Sequence, residues 1–216
     1  MTDDVPGEAA PGETLPTTRW ESADNTGFAA HFTRLIESGA DIEGEARLAD
    51  ALLPRGATVL DAGAGFGRVG AALQRRGHLV VAAEKDRDLV AMAADRYPDL
   101  PVVRSDILAL TPDLLATAGH PAAYDLVVLV GNVMVLLAPD TERRVLATVR
   151  GLLTDGGRVL VGFHPVDGPA DSARDYPVEE FVADAASVGL RLQHRFGSYD
   201  LAPATDDYLV AVLVRV

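Results

Sequence analysis

The residues with the most chemical content sit together at Val59-Leu-Asp-Ala-Gly-Ala-Gly-Phe-Gly-Arg68. An apolar run ends at an acid, Asp61, and enters a turn with glycine at Gly63, Gly65 and Gly67. Glycine lets a backbone approach a ligand with no Cβ in the way. The N–H groups of a turn that opens a helix converge on whatever binds there. Two readings compete. Gly65-Phe-Gly67-Arg-Val-Gly70 has the spacing of a dinucleotide fingerprint, and Glu84, about 20 residues on, is where such a site keeps its ribose acid. In that arrangement, however, the first glycine follows the strand directly, next to the pyrophosphate. Here Asp61 holds the strand's end. A carboxylate there repels a pyrophosphate and suits a ligand carrying an amino group or a sulfonium.

Such a turn works only if strands and helices hold it. Phe28, Phe32, Leu35 and Ile36 recur at helical spacing, and Glu45 to Leu53 forms a second helical stretch ending at Pro54-Arg-Gly56. From there strands and helices alternate. Strands are expected at Ala57–Asp61, Leu79–Glu84, Pro101–Arg104, Tyr124–Val130 and Arg158–Phe163, and helices at Gly67–Arg76, Asp88–Tyr97, Thr141–Leu153 and Pro177–Val188. The near-continuous apolar strands indicate a sheet covered on both faces, so the pattern predicts an α/β, doubly wound, mostly parallel sheet. The end breaks the rhythm. Leu190–Tyr199 and Asp207–Val216 are strand-like, and only Asp200–Asp206 lies between them. A parallel crossover needs about a dozen residues, so this pair must be antiparallel.

Composition excludes several function classes. The 216 residues suit one domain. There are no cysteines, so disulfides, thiolate metal sites and a cysteine nucleophile are excluded; no metal site is read from the sequence. Nineteen basic residues face 32 acidic ones, a net charge of −13, which opposes a phosphate backbone. The basic pairs Arg75–Arg76 and Arg143–Arg144 fall on helical patterns and read as solvated faces. Nucleic acid is therefore not expected as a partner. No apolar run reaches the roughly 18 residues that span a bilayer, and no membrane is expected. Residues 1–18 are acidic and rich in proline and glycine, unlike a signal peptide, and read as a disordered leader on a cytoplasmic protein.

Val59–Arg68 resembles motif I of the class I S-adenosylmethionine-dependent methyltransferases, an acid followed by G-x-G-x-G, with Gly63, Gly65 and Gly67 matching its three glycines. The resemblance covers about residues 20–216, because a reversed C-terminal β-hairpin on a seven-stranded sheet is also a mark of that fold. It implies S-adenosyl-L-methionine as cofactor, S-adenosyl-L-homocysteine as product, and residues 19–54 as a helical cap over the site. It places Glu84 on both ribose hydroxyls, Asp106 on the adenine amine with the Ile107 N–H on a ring nitrogen, and Gly131-Asn132 near the methionine moiety. Asp61, Ala62, Gly63, Ala64, Gly65, Gly67, Arg68 and Lys85 complete the implied cofactor site. Alternatives stand beside these: a surface acid at Glu84, a helix N-cap at Asp106, a plain turn at Gly131-Asn132, and packing or solvation at Phe66 and Arg68.

The resemblance also narrows the chemistry. The adenine- and glutamine-amine methylating members carry Asn/Asp-Pro-Pro-Tyr/Phe after the fourth strand, where this chain has Val130-Gly-Asn-Val133. The carbon-5 cytosine enzymes need a cysteine. A small-molecule acceptor is therefore expected, with in-line methyl transfer. If a general base is needed, His164 after the fifth strand and His31 in the helical cap are the candidates, each equally an ordinary histidine. Arg34, one turn beyond His31, suits the ligand carboxylate or an ion pair with Glu37 or Glu45. Two other classes stay open. A short-chain nicotinamide oxidoreductase would need Tyr-x-x-x-Lys, yet no lysine follows Lys85. A non-catalytic binding module would keep the fold and the ligand without turnover.

Overall fold

Leu126-Val-Val-Leu129 carries no polar residue on either face, so the strand that contains it belongs in the middle of a covered sheet. In the computed structural model, which describes residues 15–25 and 27–216, that is where it lies. The strands are β1 (Thr58–Ala62), β2 (Leu79–Glu84), β3 (Val102–Arg104), β4 (Tyr124–Leu129), β5 (Leu153–Phe163), β6 (Leu190–Phe196) and β7 (Leu209–Arg215). They form one sheet in the order β3-β2-β1-β4-β5-β7-β6. Neighbours from β3 to β5 are parallel, while β7 runs antiparallel to both β5 and β6. The antiparallel terminal pair expected from its short connection is thus present. Only β7 is reversed, and β6 points the same way as the parallel strands.

The strand alternation sorts the core into two layers. Leu60, Val81, Val127 and Val159 face α7 (Glu142–Gly151) and α8 (Val178–Ser187). Val59, Val80, Leu126 and Val128 face α3 (Gly44–Ala51) and α4 (Arg68–Arg75). Two further helices, α5 (Arg87–Arg96) and the short α6 (Pro112–Thr117), flank β3, and α1 (Arg19–Ser22) and α2 (Phe28–Glu37) precede the sheet. The order places β1 beside β4 with the chain leaving in opposite directions, which opens a crevice at the carboxyl ends of the strands.

Two expectations need correction. The fifth strand begins at Leu153, where a helix was expected to end, and not at Arg158. Its register against β4 shifts between Tyr124 and Leu126, and the extra residues bulge: a Gly157 Cβ would stand 2.9 Å from the Tyr124 carbonyl. In the 105–123 segment the alternative reading of Asp106 as an N-cap holds, since it caps a 3-10 turn at Ile107–Ala109; α6 follows, and its N-cap Thr111 accepts from the Leu114 N–H at 3.1 Å. Of the expected leader, residues 1–14 lie outside the described residues. Residues 15–18, however, are part of the fold. Thr18 caps α1 in a capping box with Glu21, and the Pro16 carbonyl accepts from Lys85 Nζ at 3.4 Å.

Candidate functional site

At the end of β1 the chain must reverse sharply into α4, and Asp61 fixes that reversal. Its Oδ2 accepts from the Gly70 N–H at 2.8 Å, across the glycine turn. The acid is 2% exposed. Burial pushes its carboxyl up to about 7, against the Gly70 hydrogen bond and the nearby Arg68 charge. The Gly63 and Ala64 N–H groups both reach the Ala83 carbonyl, at 2.9 and 3.1 Å, which ties the turn to β2. Gly63 has φ +76°, and a Cβ there would come within 2.8 Å of Val133 Cγ2. The β1 turn and the segment after β4 are therefore packed tightly enough to exclude any side chain at this position.

Glu84 ends β2 and bridges two loops. Oε2 accepts from the Gly65 N–H at 2.8 Å, and Oε1 accepts from the Lys85 and Asp86 N–H groups, each at 2.8 Å. Burial holds the carboxyl above its ordinary range despite the three donors. Next along the crevice, Asp106 caps the 3-10 turn through the Leu108 N–H at 2.9 Å, and its other oxygen lies 3.2 Å from Lys85 Nζ. Lys85 also meets Glu21 at 2.7 Å.

Past β4, Asn132 adopts the left-handed conformation at φ 74°. Its Oδ1 accepts from the His164 backbone N–H at 2.9 Å and stands 3.0 Å from His164 Nδ1. The His164 ring meets Tyr208 edge-on at 4.7 Å between centroids, and the Tyr208 and Tyr199 hydroxyls share a hydrogen bond at 3.0 Å. Gly162 on β5 makes room for this pair, since a Cβ there would lie 1.8 Å from the Tyr199 hydroxyl.

The N-terminal helices close the crevice from above. The Arg19 and Trp20 N–H groups bond the Leu137 and Leu136 carbonyls, and Trp20 Nε1 donates to Asp86 at 3.0 Å, so this segment crosses from the β4 side to the β2 side. An aromatic chain follows: Trp20 on Phe28 at 5.0 Å, Phe28 on Phe32 at 5.0 Å, and Phe32 on Phe66 at 5.5 Å. Arg68 lies over Phe32 at 5.2 Å and pairs with both Glu45 oxygens at 2.8 and 2.6 Å. The half-open cavity beneath them measures about 910 Å³.

Of the residues singled out in the sequence, Gly63, Gly65, Arg68, Glu84, Lys85, Asp106, Ile107, Gly131, Asn132, His31 and His164 line this one cavity. Asp61, Ala62, Ala64, Gly67 and Arg34 do not. Asp61 lies beneath the turn and shapes it. Arg34 is exposed on α2, and Glu45, one of its expected partners, is taken by Arg68. Sequence reasoning missed Tyr199 and Tyr208. The antiparallel pairing of β6 and β7 was legible but the direction of β6 was not: with β6 parallel to the rest, the β6–β7 loop falls at the carboxyl edge of the sheet.

Comparison with known proteins agrees with this geometry. A family model described as a methyltransferase domain matches residues 59–157, from β1 into the start of β5. No curated protein matched the chain. Among solved structures, a TehB-like S-adenosylmethionine-dependent methyltransferase from Corynebacterium glutamicum is 34% identical, with a TM-score of 0.77 over 89% of this chain and 98% of that one. The 1,6-didemethyltoxoflavin-N1-methyltransferase of Burkholderia thailandensis is 22% identical, with a TM-score of 0.61 over 100% of this chain and 98% of that one. The CcbJ methyltransferase of Streptomyces caelestis is 18% identical, with a TM-score of 0.64 over 80% and 94%. The last two share the fold. The first shares the sequence as well, over almost its whole length, and with it the chain belongs to the S-adenosylmethionine-dependent methyltransferases.

Proposed function

We propose that this methyltransferase acts on a small-molecule acceptor in the cytoplasm, and that the cavity at the carboxyl edge of the sheet holds cofactor and acceptor together. The observation that carries the reading is Glu84, a buried carboxylate on the cavity wall joined to Gly65 of the turn. A carboxylate offers about four acceptor positions. Three N–H groups use Glu84 already, which leaves room for one strong hydrogen bond to a ribose hydroxyl, with the second hydroxyl sharing the Gly65 side. Asp106 and the Ile107 N–H take the adenine edge. Gly63, Gly131 and Asn132 border the methionine moiety. A volume of about 910 Å³ is at the upper end of small-ligand pockets and accommodates a second small molecule beside a nucleoside.

Bound S-adenosylmethionine supplies a methyl group already activated on a sulfonium. The chain's own work is alignment and the exclusion of water. Trp20, Phe28 and Phe32 give the cavity an apolar roof. Among the described residues no helix is long and apolar enough to cross a membrane, and the acidic surface disfavours polyanionic acceptors. The test is calorimetry with S-adenosylhomocysteine and NAD, then a labelled-cofactor screen of hydroxyl, amine and quinone acceptors. Binding of the first nucleoside alone, with transfer to a small molecule, is expected. Binding of NAD without S-adenosylhomocysteine refutes the site, and binding without transfer to any acceptor leaves a binding module.

A further inference from the structure

Resting on the methyltransferase reading, we infer that His164 is the proton acceptor of the reaction, held in a single tautomer by Asn132, and that the methyl acceptor is therefore an O–H or N–H compound. The argument begins with a backbone group. The His164 N–H can only donate, and it points at an Asn132 side-chain atom 2.9 Å away, so that atom is the carbonyl oxygen. The same oxygen stands 3.0 Å from His164 Nδ1. Two acceptors would repel at that distance, so Nδ1 carries the hydrogen. In the neutral imidazole the other nitrogen, Nε2, then keeps its lone pair.

Nε2 is free to act. Among the described residues none hydrogen-bonds it, and it is not among the buried polar atoms that lack a partner. His164 lines the cavity beside Asn132. The residue after Asn132, Val133, packs against Gly63 of the cofactor turn, so the imidazole is anchored one residue away from that contact. The neighbouring groups are unsuited to the task. Burial pushes the Tyr208 hydroxyl up to about 12 and Tyr199 well above its usual value, so both stay protonated at neutral pH and neither serves as a base. Glu45, whose charge acts on both tyrosines, is engaged by Arg68.

The step balances. The acceptor's X–H proton passes to His164 Nε2, the bond from X to the methyl carbon forms, the carbon–sulfur bond breaks, and its electron pair stays on sulfur. Asn132 borders the methionine moiety and acts on the proton transfer only through His164, which makes it a positioning residue for that step.

Two experiments test this on the full chain. The first is long-range nitrogen–proton NMR of the His164 ring, with S-adenosylhomocysteine added. The Nδ1–H tautomer is expected in the wild type, and loss of that preference in Asn132→Ala. An Nε2–H tautomer in the wild type overturns the proposal. The second is labelled methyl transfer to phenol and to thiophenol, the latter of which ionises unaided near neutral pH. His164→Gln should lower kcat for phenol by at least about a hundredfold, while thiophenol transfer and the S-adenosylhomocysteine Kd change by less than about threefold. Equal losses on both acceptors overturn the proposal and leave His164 a structural residue. Failure of the wild type to bind S-adenosylhomocysteine removes the underlying reading instead, and the tautomer measured without ligand separates the two failures.

Discussion

Asp61→Asn isolates the cost of burying a carboxylate under the glycine turn. Asparagine keeps the shape and an oxygen for the Gly70 N–H, which Asp61 holds at 2.8 Å. It removes the titration and puts an amide NH2 where the second oxygen stood, a change whose effect does not vary with pH. The ordinary aspartate value is 3.8, and burial raises it to about 7 in the folded chain. Between those two values the native state binds a proton that the unfolded chain has lost, so stability falls as pH rises through that window. A rise from 3.8 to about 7, at 1.36 kcal/mol per pH unit, sets a ceiling of about 4 kcal/mol once pH exceeds 7. That is a large share of a typical 5–15 kcal/mol domain stability, so about that range is enough to see it clearly. The assay is urea unfolding of both proteins, without ligand, at intervals from pH 4 to pH 8. At the acid end the two should differ by a constant offset, and Asp61→Asn should gain stability over the wild type steadily towards the alkaline end, with unchanged m-values. A difference that stays flat, or that favours the wild type increasingly as pH rises, refutes the reasoning. It would mean that the Arg68 charge and the Gly70 hydrogen bond outweigh desolvation and keep Asp61 ionised throughout.

Four further outcomes follow from the site. Glu84→Ala should weaken S-adenosylhomocysteine binding at least about tenfold by calorimetry, the equivalent of one charge-assisted hydrogen bond; an unchanged Kd means the ribose is held elsewhere. Gly65 has φ +57° and open space where a Cβ would stand, so Gly65→Val should remain folded by circular dichroism with lowered stability and lose nucleoside binding, and normal binding would place the ligand away from this turn. Gly162→Ala puts a Cβ where the Tyr199 hydroxyl lies, so it should displace the tyrosine pair and lower the melting temperature by several degrees while S-adenosylhomocysteine still binds. Trp20 is the chain's single tryptophan and its ring nitrogen bonds Asp86 at the cavity mouth, so its emission should shift on S-adenosylhomocysteine binding and amide exchange across residues 20–25 and 27–45 should slow; no change in either makes the segment static packing.

Much of this was legible in the sequence because local chemistry and global position agreed. Val59–Arg68 combines a buried strand, an acid and three glycines, and each of those choices has a backbone or packing reason in the fold. Leu126–Leu129 could only be a covered central strand. The short link between the last two strands forced their antiparallel pairing. The failures have a common cause, which is dependence on a distant partner. The β5 start at Leu153 depends on pairing with Tyr124 and on a bulge that no local period reveals. The role given to Asp61 missed its depth: a strand-end acid can face a ligand or turn inward, and the Gly70 N–H, nine residues away, decides between them. Tyr199 and Tyr208 reached the site through the direction of β6, which the sequence left open because either strand of an antiparallel pair can be the reversed one. The same dependence explains why His164 looked ordinary in the sequence. Its chemistry comes from a single oxygen on Asn132, 32 residues earlier, which accepts from its backbone and its ring together. A histidine becomes a base of defined tautomer only when something fixes the hydrogen on its other nitrogen, and that something is set by the pairing of β4 with β5.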